Sequence, residues 1–193
     1  MIENVLVRKN LSARAKITVK SLISVGVVAL AVILPQLVHL ISGQAGGVQW
    51  LPMYLPVFLG GCLLGTLWGV GVGIASPVVS FLITLAFGSP MPAAARLPFM
   101  VVELATMAAI SGAFSKKIAE NGWLAFPAVL LSQVVGRSVF MLLALIFASV
   151  TPFTPSLIWS QIQTGLLGMV LQAVLVPFIV MGIKLLTDEK KND

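Results

Sequence analysis

Three ionisable side chains stand inside long apolar runs of this 193-residue chain: His39, Glu103 and Arg137. A charge at such a place costs at least a few kcal/mol, so each one marks a ligand contact or a partner for another. Their neighbours follow helical spacing. Gln133 and Arg137 are four apart and share a face, with Phe140 three further on. Met100, Glu103 and Met107 share a second face, and Trp159 and Gln163 a third. A few polar groups among methionine and aromatic surfaces are how small-molecule sites are lined. The same residues also read as a structural ion pair, Glu103 with Arg137, in which each offsets the desolvation of the other. The sequence leaves both readings open. Taken singly, His39, Tyr54 and Trp50 read as interfacial residues and the methionines as packing; convergence towards one side of a membrane favours the pocket.

Catalysis finds little support, and the chain reads as a non-enzyme. No helix carries a zinc-binding His/Glu pattern, no glycine-lysine loop is present to cradle phosphate, and Glu103 has no second acid beside it. A protein without a phosphate loop must draw the energy for uphill movement from partners or ions. Cys62 is the single cysteine, which excludes an internal disulfide and a multi-cysteine metal cage. No metal and no cofactor is expected.

The elements that must position these residues are membrane spans. The chain is 59% hydrophobic and 9% charged, too little charge to cover a soluble domain of this size. Apolar runs at 21–41, 97–114, 124–148 and about 157–186 are each long enough to cross a core of about 30 Å. The first is longer than a signal-peptide core and reads as a retained span. The run 52–88 is too long for one crossing, since a straight helix of that length would extend about 55 Å. Its glycines at 61, 65, 69 and 73 therefore read as a hairpin turning near Gly65 to Gly69. Gly61 and Gly65 thin a face of the second span, and Gly69 and Gly73 a face of the third, for close packing or partner docking.

Charge placement gives an independent test of the hairpin. With six spans, Arg8, Lys9, Arg14, Lys16, Lys20, Lys116, Lys117, Lys184, Lys190 and Lys191 all face the cytoplasm, leaving only Arg96 in an outer loop. With five, Lys116, Lys117, Lys184, Lys190 and Lys191 would move outside. The expected fold is thus an all-α membrane protein with six transmembrane helices and both termini cytoplasmic. It divides into a basic cytoplasmic leading segment at 1–20, a six-helix domain at 21–186 and a cytoplasmic tail at 187–193. Segments 42–51 and 88–96 are expected as outer loops, 115–123 as an inner loop and 149–156 as an outer turn. Pro177 is expected to kink the last helix. Anionic lipid accounts for the formal charge of +6, with no need of nucleic acid.

The stretches LPMYLPVFLGGCLLG, GVGVGIASPVVSFLI, SPMP, LPFMVVELATMAAISGAFSKK and VVGRSVF, in this order, resemble the substrate-binding S components of energy-coupling factor (ECF) type ABC importers. The similarity runs from about Leu34 to Phe140; the last span matches in length and polarity alone. It implies capture of a vitamin or related micronutrient from outside. It also implies a complex with a transmembrane coupling protein and two cytoplasmic ATPases, in which the S component topples to turn its site inward. In the resemblance Pro52, Met53 and Pro56 open span 2, Pro77 lies in span 3, Pro90 to Pro92 with Met91 form the loop capping the site, Glu103 lies in span 4, and Gly136 with Arg137 in span 5. Related sequences often carry histidine where this chain has Tyr54. Span 1 also departs from the family, because Ala29 and Ala31 are not four apart and so do not form its alanine-x-x-x-alanine docking seam.

On this reading the chain is the substrate-capturing subunit of a vitamin importer. Its pocket is expected in the outer half between spans 4, 5 and 6, with 42–51 and 88–96 as lids. Arg137 would contact a ligand carboxylate or amide oxygen or orient Glu103; Gln133 and Gln163 would hydrogen-bond, and Trp159 and Phe140 would supply apolar contact. Pantothenate and a cobalamin-like compound are the leading substrates. The alternative is a self-sufficient small ion-coupled transporter or channel in which Glu103 carries a proton or cation.

Overall fold

The computed structural model describes residues 12–149 and 151–189. The basic residues Arg8, Lys9, Lys190 and Lys191 and the end of the tail lie outside them. Among the described residues the regular structure is entirely helical. Helix α1 spans Ala13–Trp50, α2 Tyr54–Leu64, α3 Thr66–Ala86, α4 Leu97–Ala113, α5 Ser115–Glu120, α6 Ala125–Ile146, α7 Pro155–Thr164 and α8 Leu166–Glu189. Five stretches are long and apolar enough to cross a membrane: Ala13–Gly43, Ala45–Leu64, Thr66–Ala86, Gly122–Ile146 and Leu166–Thr187. A sixth apolar helix, α4, is shorter at 17 residues.

Polarity is distributed as a lipid solvent requires. Leu22, Leu40, Ile41, Leu67 and Phe87 are exposed, whereas Glu103, Arg137, Gln133 and Gln172 are buried. Hydrocarbon can cover a leucine without cost, but a buried ionised or amide group must find a partner inside the bundle.

Several boundaries fall where local chemistry dictates. Ser12 caps α1, its hydroxyl oxygen accepting from the Ala15 N–H at 3.3 Å. Gly43, at φ 63° and ψ −166°, breaks α1 internally, a conformation for which glycine carries no Cβ penalty. The segment 42–51, expected as a loop, is therefore a break followed by helix to Trp50. Segment 115–123 is likewise mostly structured, as α5 and the start of a short 3-10 turn at Gly122–Leu124. The last apolar run is two helices, parting at Gly165; α8 then runs through Pro177.

The run 52–88 does turn back, and it does so at Gly65, whose φ of 87° ends α2 and begins α3. The glycines then serve three helices rather than two. A Cβ at Gly69 would lie 2.8 Å from the Gly61 Cα, so α2 and α3 touch through backbone; one at Gly61 would meet Ser111 Oγ and the Ala108 carbonyl of α4, and one at Gly73 the Leu104 carbonyl at 2.7 Å. Gly71, by contrast, faces open space. This difference predicts opposite signs. Gly61→Ala forces a backbone shift and is expected to destabilise the protein by about 1–3 kcal/mol, while Gly71→Ala should stabilise it slightly through helix propensity, by up to about 1 kcal/mol. Thermal unfolding of the two variants in one detergent checks both.

The ends of the bundle are chemically distinct. Lys184 Nζ donates to the Glu120 carbonyl at 2.7 Å, and Gly122 sits against Met181, so the end of α5 and the C-terminal part of α8 lie together. Gly65 is beside Ser115, and Gly60 beside Val27 of α1, which places the Gly65 turn at that same end. Arg14, Lys16 and Lys20 precede Val27 by two to four turns, so the cations of α1 project towards this end too. Arg96 stands at the other.

Candidate functional site

Glu103 comes from α4 and Arg137 from α6, and glycine brings these helices together. Gly136, adjacent to Arg137, packs on the side chain of Met107, one turn beyond Glu103; any Cβ there would overlap it. At this approach Arg137 Nη1 reaches Glu103 Oε1 at 2.8 Å. The other carboxylate oxygen, Oε2, accepts the Tyr54 hydroxyl of α2 at 2.7 Å. The Arg137 guanidinium also lies 5.0 Å from the centroid of the Tyr54 ring, within cation–π range. Glu103 is fully buried and Arg137 is 5% exposed. Their contact is an ion pair without hydrogen-bond geometry, and Arg137 Nε and Nη2 face no acceptor among the described residues.

Tyr54 joins this buried triad to a cavity of about 230 Å³. Its walls are Pro35 and His39 of α1, Gly47 and Val48 beyond the Gly43 break, Leu51, Pro52 and Met53 of the connection to α2, and Tyr54 itself. Ser80 of α3, the loop residues Met91, Pro92, Ala93 and Arg96, and Met100 of α4 close it. The cavity opens at the end of α2 opposite the Gly65 turn.

Each wall is fixed by a specific bond or contact. Thr84 accepts the Met91 N–H at 2.7 Å, and Ser80 donates to the Met91 carbonyl at 2.9 Å, tying the loop 88–96 to α3. The Met91–Pro92 peptide is cis. Gln172 of α8, buried, donates through Nε2 to the Trp50 and Leu51 carbonyls at 3.1 and 2.8 Å. It thereby satisfies the carbonyls freed where Leu51, at φ 49°, ends α1. Gly168 admits this backbone, since a Cβ there would lie 2.6 Å from the Gln49 carbonyl oxygen. Gly47 makes room for the His39 ring in the same way.

The expected site residues therefore divide. His39, Met53, Tyr54, Met91 and Met100 line the cavity, and Glu103 and Arg137 sit behind its Tyr54 wall. This cavity is walled by α1, α2, α3 and the start of α4, apart from the position expected between spans 4, 5 and 6, where a second pocket of about 280 Å³ lies between Phe99 and Val102 of α4 and Leu143 of α6. Met107 is committed to packing on Gly136, and Gln133 donates to the Met169 carbonyl at 3.0 Å, linking α6 to α8. Phe140 belongs to an aromatic cluster with Phe99 and Phe153. Trp159 is 56% exposed and Gln163 is exposed as well, because α7 is a separate short helix at the edge. Gly61, Gly69 and Gly73 pack helices, and Gly65 makes the turn.

No family model matches the chain, and no curated protein or solved structure is detectably similar to it.

Sequence reasoning omitted Arg96, Ser80 and Leu51 from the site. Arg96 alone left a signal, as the single cation expected in an outer loop. Its guanidinium lies 5.7 Å from the Phe140 ring centroid, and its Nε is buried without a hydrogen-bond partner. His39 Nδ1 is buried and unpartnered too. The Tyr54 hydroxyl and the Ser80 hydroxyl are already committed, to Glu103 and Met91. Among the described side chains that line the cavity, the nitrogens without a hydrogen-bond partner are on Arg96 and His39.

Proposed function

We propose that this chain is a substrate-capturing membrane subunit of the ECF S-component kind, binding a vitamin or related micronutrient in the cavity beside Tyr54. It would sit in the plasma membrane with six spans, its termini and basic end in the cytoplasm and the cavity end outside. The observation that carries this reading is the cavity itself. It is apolar-walled, at the end of the bundle away from the cation-rich end, and has unpartnered buried nitrogens on Arg96 and His39. The seventeen residues of α4 extend about 26 Å at about 1.5 Å per residue, enough for a sixth crossing of a slightly thinned or snorkelled-to bilayer.

Size favours the smaller of the two leading substrates. At about 30 Å³ per water, a cavity of 230 Å³ has the room of roughly eight water molecules. Pantothenate is close to that scale, and a corrinoid macrocycle is far beyond it. Transport would follow from docking to a transmembrane coupling protein and two ATPases. The ion-coupled alternative needs Glu103 to exchange a proton or cation, and the engagement of both its oxygens weighs against that role.

Titration calorimetry of the purified full chain against a vitamin panel tests the reading. Saturable binding of at least one member with a dissociation constant below about 1 μM, or about −8.2 kcal/mol, is expected. Uptake by this chain alone in liposomes, driven by an ion gradient, would instead establish the alternative. Cysteine labelling at Lys116 and beside Lys184 should place both on the same face of the membrane.

A further inference from the structure

The charge balance around the cavity selects a class of guest. Among the described residues near it there are two guanidiniums, Arg96 and Arg137, and one carboxylate, Glu103. Glu103 is fully engaged, by Arg137 at 2.8 Å and by the Tyr54 hydroxyl at 2.7 Å. No aspartate or glutamate lines the cavity, whereas Arg96 and His39 do. Among the described residues Arg96 has no ion-pair partner; its guanidinium lies 5.7 Å from the Phe140 ring centroid and feels Glu103 only at longer range. It also stands at the N-terminal end of α4, where the helix dipole adds positive potential. A half-buried cation with a buried, unpartnered N–H is a group that an oxyanion would complete, by a charge-assisted hydrogen bond of the strong kind. Apart from Tyr54 and Ser80, whose hydroxyls are committed to Glu103 and Met91, the rest of the wall is proline, methionine, glycine and aliphatic surface, which suits an uncharged body and not a second charge.

We infer that the ligand is a small carboxylic acid bound as its anion, with the carboxylate on Arg96, a hydrogen bond from or to His39, and the apolar body over Met53 and Met100. This rests on the cavity being the capture site. It places the anion contact on Arg96 and leaves Arg137 the other of the two roles the sequence offered it, orienting Glu103, because Arg137 already has its carboxylate. Arg137 then holds Glu103 and Tyr54 in place as the rigid back wall.

The test uses the full chain in lipid nanodiscs and matched probes that differ in charge: pantothenate against pantothenol, nicotinate against nicotinamide, and biotin against biotin amide. Thiamine serves as a cationic probe and riboflavin as a neutral one. The expected result is that at least one acid binds, at least tenfold more tightly than its uncharged partner. Arg96→Gln should remove that preference, lowering the acid's affinity at least tenfold while leaving the uncharged partner's within about twofold. Arg96→Lys should retain part of the preference, and thermal unfolding of both variants shows whether they are folded. Tighter binding of an uncharged probe, riboflavin or thiamine overturns the carboxylate assignment and leaves substrate capture standing. So does an acid whose affinity is unchanged in a folded Arg96→Gln protein. Failure of every probe to bind the folded wild-type protein overturns both readings together.

Discussion

Replacing Arg137 by methionine, with Glu103 kept, is expected to destabilise the protein by about 3–5 kcal/mol, the largest effect of any single substitution considered. The cause is the residue left behind. Glu103 is fully buried, and removing the guanidinium leaves its Oε1 without a counter-charge in an apolar bundle. The opposite single change, Glu103→Gln, strands Arg137 in the same way, and a loss of similar size is expected. The double variant Glu103→Gln with Arg137→Met carries no buried ion and should recover most of the loss, because neither desolvation penalty then remains. Reversible unfolding in mixed micelles, run as a double-mutant cycle, measures the coupling directly. A cycle in which the two single effects simply add would show that the pair does not interact as the 2.8 Å contact requires. Ligand affinity provides a second readout. If Arg137 acts as a back wall, the double variant should still prefer an acid over its uncharged partner, since Arg96 is untouched.

Tyr54→Phe is expected to cost about 1.5–3 kcal/mol, in the range of a lost hydrogen bond to a charged group. The phenol donates to Glu103 Oε2 at 2.7 Å, and phenylalanine leaves that oxygen buried with no donor. The ring remains, so the cation–π contact with Arg137 at 5.0 Å survives and the cavity wall keeps its shape. Stability should therefore fall while the cavity still accepts its guest. A variant that removes the ring as well, Tyr54→Ala, should lose both stability and affinity, because it opens the wall between the cavity and the Glu103–Arg137 pair. Comparing the two by thermal unfolding and by ligand titration separates the hydroxyl's role from the ring's. Equal stability of Tyr54→Phe and the natural protein would mean that Glu103 does not depend on this donor.

The pairing of Glu103 with Arg137 was legible as one of two readings because buried charge is scarce in such a chain, and scarcity limits the choice of partners. The third member was not. Tyr54 read singly as an interfacial anchor, since a lone tyrosine near a span end fits that role by sequence position, and by convergence as a pocket residue, but not as a partner of Glu103. Its place in the triad depends on α2 lying between α1 and α4, which the contacts of Gly60 on Val27 and of Gly61 on Ser111 and Ala108 decide. Trp159 and Gln163 lie apart from the cavity for a related reason. Their spacing put them on one face, but the break at Gly165 makes α7 a separate helix whose residues Trp159 and Gln163 stay exposed.

What the amino-acid sequence determined by itself was everything that depends on a single segment: an all-α membrane composition, the apolar lengths, the need for a reversal within 52–88, and the gathering of lysine at loops and ends. These follow from run length, local charge and glycine's tolerance of positive φ, none of which requires a neighbour. Only the tertiary structure decided which faces meet. It placed a cavity lined by His39, Tyr54 and Arg96 among the first four helices, gave Glu103 two partners, and left Arg96 without an ion-pair partner among the described residues. Helical spacing fixes the angle of a side chain about its own axis, but the approach of one helix to another is set by contacts such as Gly136 on Met107 and Gly168 on the Gln49 carbonyl. Those contacts join residues far apart in the chain, so no local pattern encodes them.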